Sequence, residues 1–244
     1  MQLGGLPVET DVSAGTWVAE AVARAHWGTV ASLVPPLFPA YARVLHPAYR
    51  YEGDDDVEVP WTAVAALNGT AVHPLMQWPA ITGGWEYLNE DSQPPDWDGG
   101  PAEGHLPTTV AARMAAVLAR HTGTPGDCLL ARWAGFGFDA AALRGLAALP
   151  LPRGRDAVLA RGAVADAARN LAPEPSEQSA NLWWPEDRAW VVATDIDLMS
   201  TYVGGSIACV AELLAAPGLE VLPSAAEDRV GHADDPVNLL PLRG

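Results

Sequence analysis

The chain contains no lysine; all 14 basic residues among its 244 are arginine. Two mechanisms fall with that absence. A phosphate-cradling P-loop relies on its lysine and a Schiff-base enzyme on a side-chain amine, so neither can be built from this sequence. The chain is also rich in alanine and proline, and the simplest origin of such a composition is a GC-rich genome. Cysteine is scarce: Cys128 and Cys209 sit in apolar surroundings, DCLLARW and SIACVAELL, without CxxC spacing, and read as buried reduced thiols. The six histidines, His26, His46, His73, His105, His121 and His232, show no HxH, HExxH or HxxxH spacing, which argues against zinc. His46 and His73 both precede proline, where extended geometry is imposed and a turn-side imidazole is the ordinary finding. No stretch approaches the roughly 18 to 20 apolar residues of a membrane span, and no basic start leads into an apolar run. A cytoplasmic location with no membrane partner is therefore expected.

A composition of 49% hydrophobic and 18% charged residues is that of a folded chain rather than a disordered one. At this length a single domain is expected, hiding roughly 70 to 75% of its unfolded surface without help from disulfides or metal. The charge is less ordinary, because 30 acidic residues face 14 basic ones for a formal net charge of -16. Duplex binding rests on a basic face, so nucleic acid is excluded as a partner, whereas a basic protein or a small cationic ligand would be attracted. The competing account is that the acidity only keeps the protein soluble.

Along the chain, residues 1–14 read as a loose leader and Thr16 as the cap of a short helix through Ala25. The runs 29–35 and 41–47 are rich in β-branched and aromatic residues and closed by proline, which predicts two strands. Asp54, Asp55 and Asp56 mark an acidic surface loop; Pro60 and Trp61 then open a helix that ends at Asn68-Gly69. The Pro/Gly-rich stretch 81–107 is long for a connection inside one domain and is either a mobile flap or a loop pinned by Trp85 and Trp97. Beyond it come a helix capped by Thr108 or Thr109 and running through His121, a strand at DCLLARWAG, and a helix capped by Asp139 that runs to about Leu149. Then follow a strand at DAVLARG, a helix at AVADAARN, a polar loop over 171–181, a strand over 188–195, a Gly-Gly turn, a helix over 206–216 and a closing strand over 219–222. The tail 224–244 lacks an apolar period and is expected to fray. The fold class that results is α+β: a mixed sheet of about six strands with helices packed mainly on one face.

One segment concentrates chemistry. The strand WVVAT is apolar on both faces and runs into Asp195 and Asp197, which lie two apart and so project to one side if extended geometry persists. Strand exits are where α/β-type sheets commonly place ligands. Two carboxylates there can hold Mg²⁺ or Ca²⁺, or bind an amine or guanidinium, with Arg188, Trp184, Tyr202 and Ser206 as further ligand-binding candidates. The structural alternative is that Asp195 accepts backbone bonds of the turn while Asp197 pairs with an arginine such as Arg188. Ser206 opens a helix whose Ile207, Val210, Ala211 and Leu214 form an apolar stripe; it suits an N-cap, and the same free amides can also accept an anion. Ten tryptophans are many, and Trp183, Trp184, Trp85 and Trp97 either line a pocket or anchor core and loops.

Two resemblances enter at these residues. The DxD after an apolar strand resembles the haloacid dehalogenase phosphatases, but that family requires a downstream lysine or its equivalent, and here there is none. YARVLHPA, WWPEDRAW with TDIDLMSTYVGGS, and DCLLARWAGFG resemble a family of uncharacterised actinobacterial proteins over most of the chain. That likeness implies a bacterial cytoplasmic origin and no particular activity, fold or ligand. Two functions are therefore carried forward. The first is a non-catalytic binding module for a basic protein or cationic ligand, in the manner of immunity proteins that neutralise nuclease toxins, with no cofactor. The second is a small-molecule enzyme or sensor with its carboxylate site at Asp195 and Asp197, holding a divalent metal or acting as acid and base.

Overall fold

The computed structural model describes residues 1–89, 91–137 and 143–240. Its centre is an antiparallel sheet built from β3 (Ala40–Leu45), β6 (Cys128–Trp133), β7 (Ala157–Gly162), β8 (Leu182–Pro185), β9 (Val191–Ala193), β10 (Ser200–Gly205) and β11 (Val221–Ser224). These seven strands lie in the order β11-β3-β10-β9-β8-β6-β7. The fold is α+β as expected, but the sheet is not mixed: every neighbouring pair in it runs antiparallel. A strand covered on both faces shows a near-continuous apolar run whichever way its neighbours point, so the pattern leaves direction open.

Both faces are covered. On one lie α4 (Thr108–Leu118) and α5 (Ile207–Leu214), packed over Val44, Leu130, Val158, Trp183, Val192 and Val203. On the other, α1 (Thr16–Ala23) and the segment 30–34 cover Leu129, Leu159, Trp184, Val191, Ala193 and Tyr202. Alternation along each strand sends successive side chains to opposite faces. Thus in β8 Trp183 stacks edge-on against Trp190 on the first face, with ring centres 5.1 Å apart, while Trp184 meets Trp17 on the second, at 6.3 Å. Two helices thus share one face while α1 alone lies on the other.

A third cluster sits beside the sheet. The hairpin of β4 (Ala48–Glu52) and β5 (Asp55–Val59), together with α2 (Trp61–Asn68) and α3 (Trp78–Thr82), gathers around Trp61, Trp78 and Trp97, whose neighbouring rings lie 5.3 and 5.1 Å apart. The acidic loop at 54–56 is therefore largely strand. The stretch 81–107 is pinned by its aromatics, since Trp97 is fully buried and Tyr49 N donates to Gly99 O at 2.8 Å. Buried Arg43 links this cluster to the sheet, donating to Ser200 Oγ at 3.0 Å, Met76 O at 2.7 Å and Gln77 Oε1 at 3.1 Å.

Further expectations are corrected. Residues 1–14 are not a loose leader: β1 (Gln2–Leu3) and β2 (Leu6–Pro7) form a hairpin that buries Leu3 and Leu6, and Glu9 N extends the edge of β7 by donating to Leu159 O at 2.9 Å. The run 29–35 is a 3₁₀ turn over Val30–Ser32 that buries Val30 and Val34, so its β-branched residues serve the core without pairing in the sheet. Gly204 and Gly205 belong to β10 and form no turn; a Cβ on Gly204 would stand 2.6 Å from Phe38 and 2.7 Å from Val34, so glycine is there for close approach. The tail is held as far as it is described: Val30 N donates to Asp228 O at 3.0 Å, and buried Asp235 accepts from Gln77 N at 3.0 Å. The helix placed at 139–149 begins outside the described residues, and its far end is no helix, because Leu149 bridges to Ala157. AVADAARN is shorter than expected, a 3₁₀ turn over Val164–Ala168.

Candidate functional site

β9 and β10 form a hairpin, and the turn between them carries both acids. Asp195 shapes it, its Oδ1 accepting the Asp197 N–H at 3.0 Å while Leu198 N donates to its carbonyl at 3.2 Å. Although the strand has ended at Ala193, the two carboxylates still converge, and a single guanidinium joins them. Arg155 Nε donates to Asp195 Oδ2 at 3.2 Å, and its Nη2 reaches Asp195 Oδ1 at 3.2 Å and Asp197 Oδ2 at 2.5 Å. Burial opposes the charge on Arg155, but the hydrogen bonds and charges of the two aspartates outweigh it and hold its pKa above the ordinary arginine value. The side chain of Asp195 is 10% exposed and that of Asp197 70%, so one acid is sealed under its arginine and the other faces solvent.

The other expected site residues lie elsewhere. Trp184 and Tyr202 are buried, the first against Trp17 and the second beneath Arg43. Arg188 precedes β9 at the end away from the acids, with a left-handed φ of 56° and its guanidinium 5.1 Å from the Trp17 ring centre. Ser206 follows β10, also away from the turn, and its Oγ caps α5 by accepting the Cys209 N–H at 3.1 Å. The arginine partner of the acids is thus Arg155 rather than Arg188. Its guanidinium bridges the two carboxylates, and among the described residues there is no group of three His, Cys, Asp or Glu side chains that could hold a metal.

The turn borders a cleft that no local pattern announces. A cavity of about 250 Å³ lies between Trp27, Asp195, Asp197, Leu198, Val230 and Asp234, and is lined by Arg229 and His232 as well. A smaller apolar recess of about 60 Å³ continues past Trp27 and Leu33 to Trp133, Leu151 and Arg155. Trp27 and Asp195 line both spaces. The wall is braced by His232, whose Nε2 lies 2.8 Å from Asp197 O and 3.2 Å from Glu103 Oε1, and by Arg229, whose Nη1 donates to Trp27 O at 3.2 Å. Trp27 itself is about a third exposed, and the guanidinium of Arg153 lies 4.5 Å from its ring centre.

His46 is fully buried: Nδ1 donates to Ala102 O at 2.6 Å, which leaves Nε2 to accept from Thr201 Oγ1 at 2.9 Å, and Thr201 in turn lies 2.6 Å from Thr194 Oγ1. Burial pushes this imidazole down to about 3. Both cysteines are buried, which raises their thiols, Cys209 to about 11, so neither is poised as a thiolate. Comparison with protein-family models, with curated proteins and with solved structures finds no match to this chain.

Proposed function

We propose that this protein is a binding module that recognises a basic protein by seating one of its cationic side chains in the cleft beside Trp27. One observation carries the reading: the cleft combines an accessible indole with three carboxylates, Asp195, Asp197 and Asp234. Arg155 is paired with Asp195 and Asp197, Arg229 stands with Nε 3.5 Å from Asp234, and the Arg153 guanidinium lies near the Trp27 ring, so the attraction for a further cation rests on Asp197. Asp197 is the open charge of the set. Aromatic face and carboxylate together are the pairing that binds arginine and lysine side chains, by cation–π attraction on one side and charge-assisted hydrogen bonds on the other. The formal charge of -16 adds long-range attraction for the same class of partner.

Calorimetric titration with an arginine-rich peptide tests the reading, with the citrulline-substituted peptide as the uncharged control. The arginine peptide is expected to bind and to weaken steeply with added salt, and Asp197→Asn is expected to lower its affinity about five-fold, the effect of one partly exposed ion pair. Equal binding of the two peptides, or an Asp197→Asn variant indistinguishable from the parent, would rule the cleft out as the site.

A further inference from the structure

Behind Trp27, the polar side chains that line the small recess are already engaged within the protein. Ser32 Oγ donates to Thr29 O at 2.7 Å, and Thr194 Oγ1 lies 2.6 Å from Thr201 Oγ1. The Asn181 amide donates to Gly104 O and Thr194 O, both at 3.1 Å, while its oxygen accepts the Trp133 N–H at 3.0 Å. Trp133 Nε1 donates to Gly154 O at 2.7 Å, and Arg155 and Asp195 hold each other. What is left for a guest is the apolar wall of Val22, Leu33, Leu151, Leu182 and Ala193. Water in such a space finds few groups to bond, so an aliphatic group is the favoured occupant. At roughly 10–15 Å³ for each water-sized group, the recess of about 60 Å³ admits about four, the size of a leucine isobutyl group.

This apolar space lies next to the open charge. Trp27, Ser32, Leu33 and Asp195 line both the recess and the wider cleft. Arg155 lines the recess, and its Nη2 is 2.5 Å from Asp197 Oδ2, so one guanidinium separates the recess from that carboxylate. In an extended segment, side chains two residues apart share a face at a separation of about 7 Å, enough to span such a group. We infer that the recess is a second subsite of the cleft, which receives a leucine or isoleucine side chain of the basic partner two residues from the cation that meets Asp197. The inference rests on the function proposed above and adds the sequence that the partner presents. A basic protein offers cations at many places, and the recess selects among them those with an aliphatic neighbour of the right size.

Calorimetric titration of the parent protein with four short peptides is the test, each carrying arginine, serine and a varied residue in that order within a glycine-serine frame. With leucine or isoleucine at the varied position, binding is expected to be about ten-fold tighter than with serine, the effect of burying most of one aliphatic side chain. Tryptophan there should bind no better than serine, because an indole exceeds the recess. Ala157→Leu fills the recess from β7 and is expected to remove the leucine advantage while leaving the serine peptide unchanged. Should that variant fail to fold, the order among the four peptides decides by itself. Equal binding of the leucine and serine peptides, with Asp197→Asn still impaired, would overturn the subsite and leave the cleft as the cation site. Tryptophan binding more tightly than leucine, or a folded Ala157→Leu that keeps the leucine advantage, would also overturn it. Absence of binding by all four peptides would remove the function and the inference together.

Discussion

At the scale of single residues, Arg155 shows how the turn between β9 and β10 tolerates its acids. Bringing Asp195 to 10% exposure withdraws a carboxylate from water, and the bidentate guanidinium supplies the compensating charge. Removing the arginine leaves that carboxylate buried beside a second one. Arg155→Met is accordingly expected to lower stability by about 1–3 kcal/mol in urea unfolding, below the cost of breaking a fully buried pair because Arg155 is itself 22% exposed. Restoring most of that loss with the double variant Arg155→Met, Asp195→Asn would attribute it to the unpaired charge; a double variant no more stable than the single one would not. A spacing of two brings the acids to one side only while the chain stays extended, and the strand ends at Ala193; they meet on a shared arginine that lies 40 positions from Asp195, and nothing local to PRGRD distinguishes it from the other arginines.

At the scale of elements, helices with strong local signals formed where the pattern placed them. α2 begins at Trp61 after Pro60 and ends on Gly69 at φ 66°, and α5 begins after Ser206, whose side chain accepts the Cys209 N–H. Yet the N-terminus of α2 has no local cap, because Pro60 offers no side-chain acceptor. The acceptors come from Glu220, which takes the Trp61 N–H at 2.6 Å and the Thr62 N–H at 2.8 Å across 159 and 158 positions of sequence. Glu220→Ala is expected to cost about 1–2 kcal/mol, the range for an N-cap loss reinforced by the helix dipole, read as a lower unfolding midpoint at unchanged denaturant slope. An unshifted midpoint would mean that water replaces this cap without penalty. Strands were less legible than helices for a related reason. Residues 29–35 and 41–47 carry the same kind of β-branched run, but only the second finds strands on both sides, in β10 and β11.

At the scale of the whole molecule, acid is the condition that separates the folded from the unfolded chain. The unfolded imidazole titrates near 6.5, whereas burial holds folded His46 at about 3 and also lowers His105. Below pH 6.5 the unfolded chain therefore takes up protons that the folded one refuses. Stability is full above that pH and is lost as pH falls toward 3, by an amount on the order of several kcal/mol at the lower end. Urea unfolding at stepped pH should show this decline beginning above the carboxylate range, with His46→Gln flattening it between about pH 6.5 and 4. A parent protein whose stability stays level across that interval would contradict a neutral buried His46.

Composition and short-range pattern were enough to establish the acidity, the absence of lysine, the α+β class and the position of most of the described helices, because each depends on residues present in a window of a few turns. Tertiary structure alone decided the strand order, the pinning of residues 1–9 and of the described part of the tail, the arginine that bridges the acids, and the cleft that Trp27 shares with Asp234. Those outcomes depend on which distant segments exclude water together, and segments of equal apolarity and charge carry no local mark of the partner they will meet.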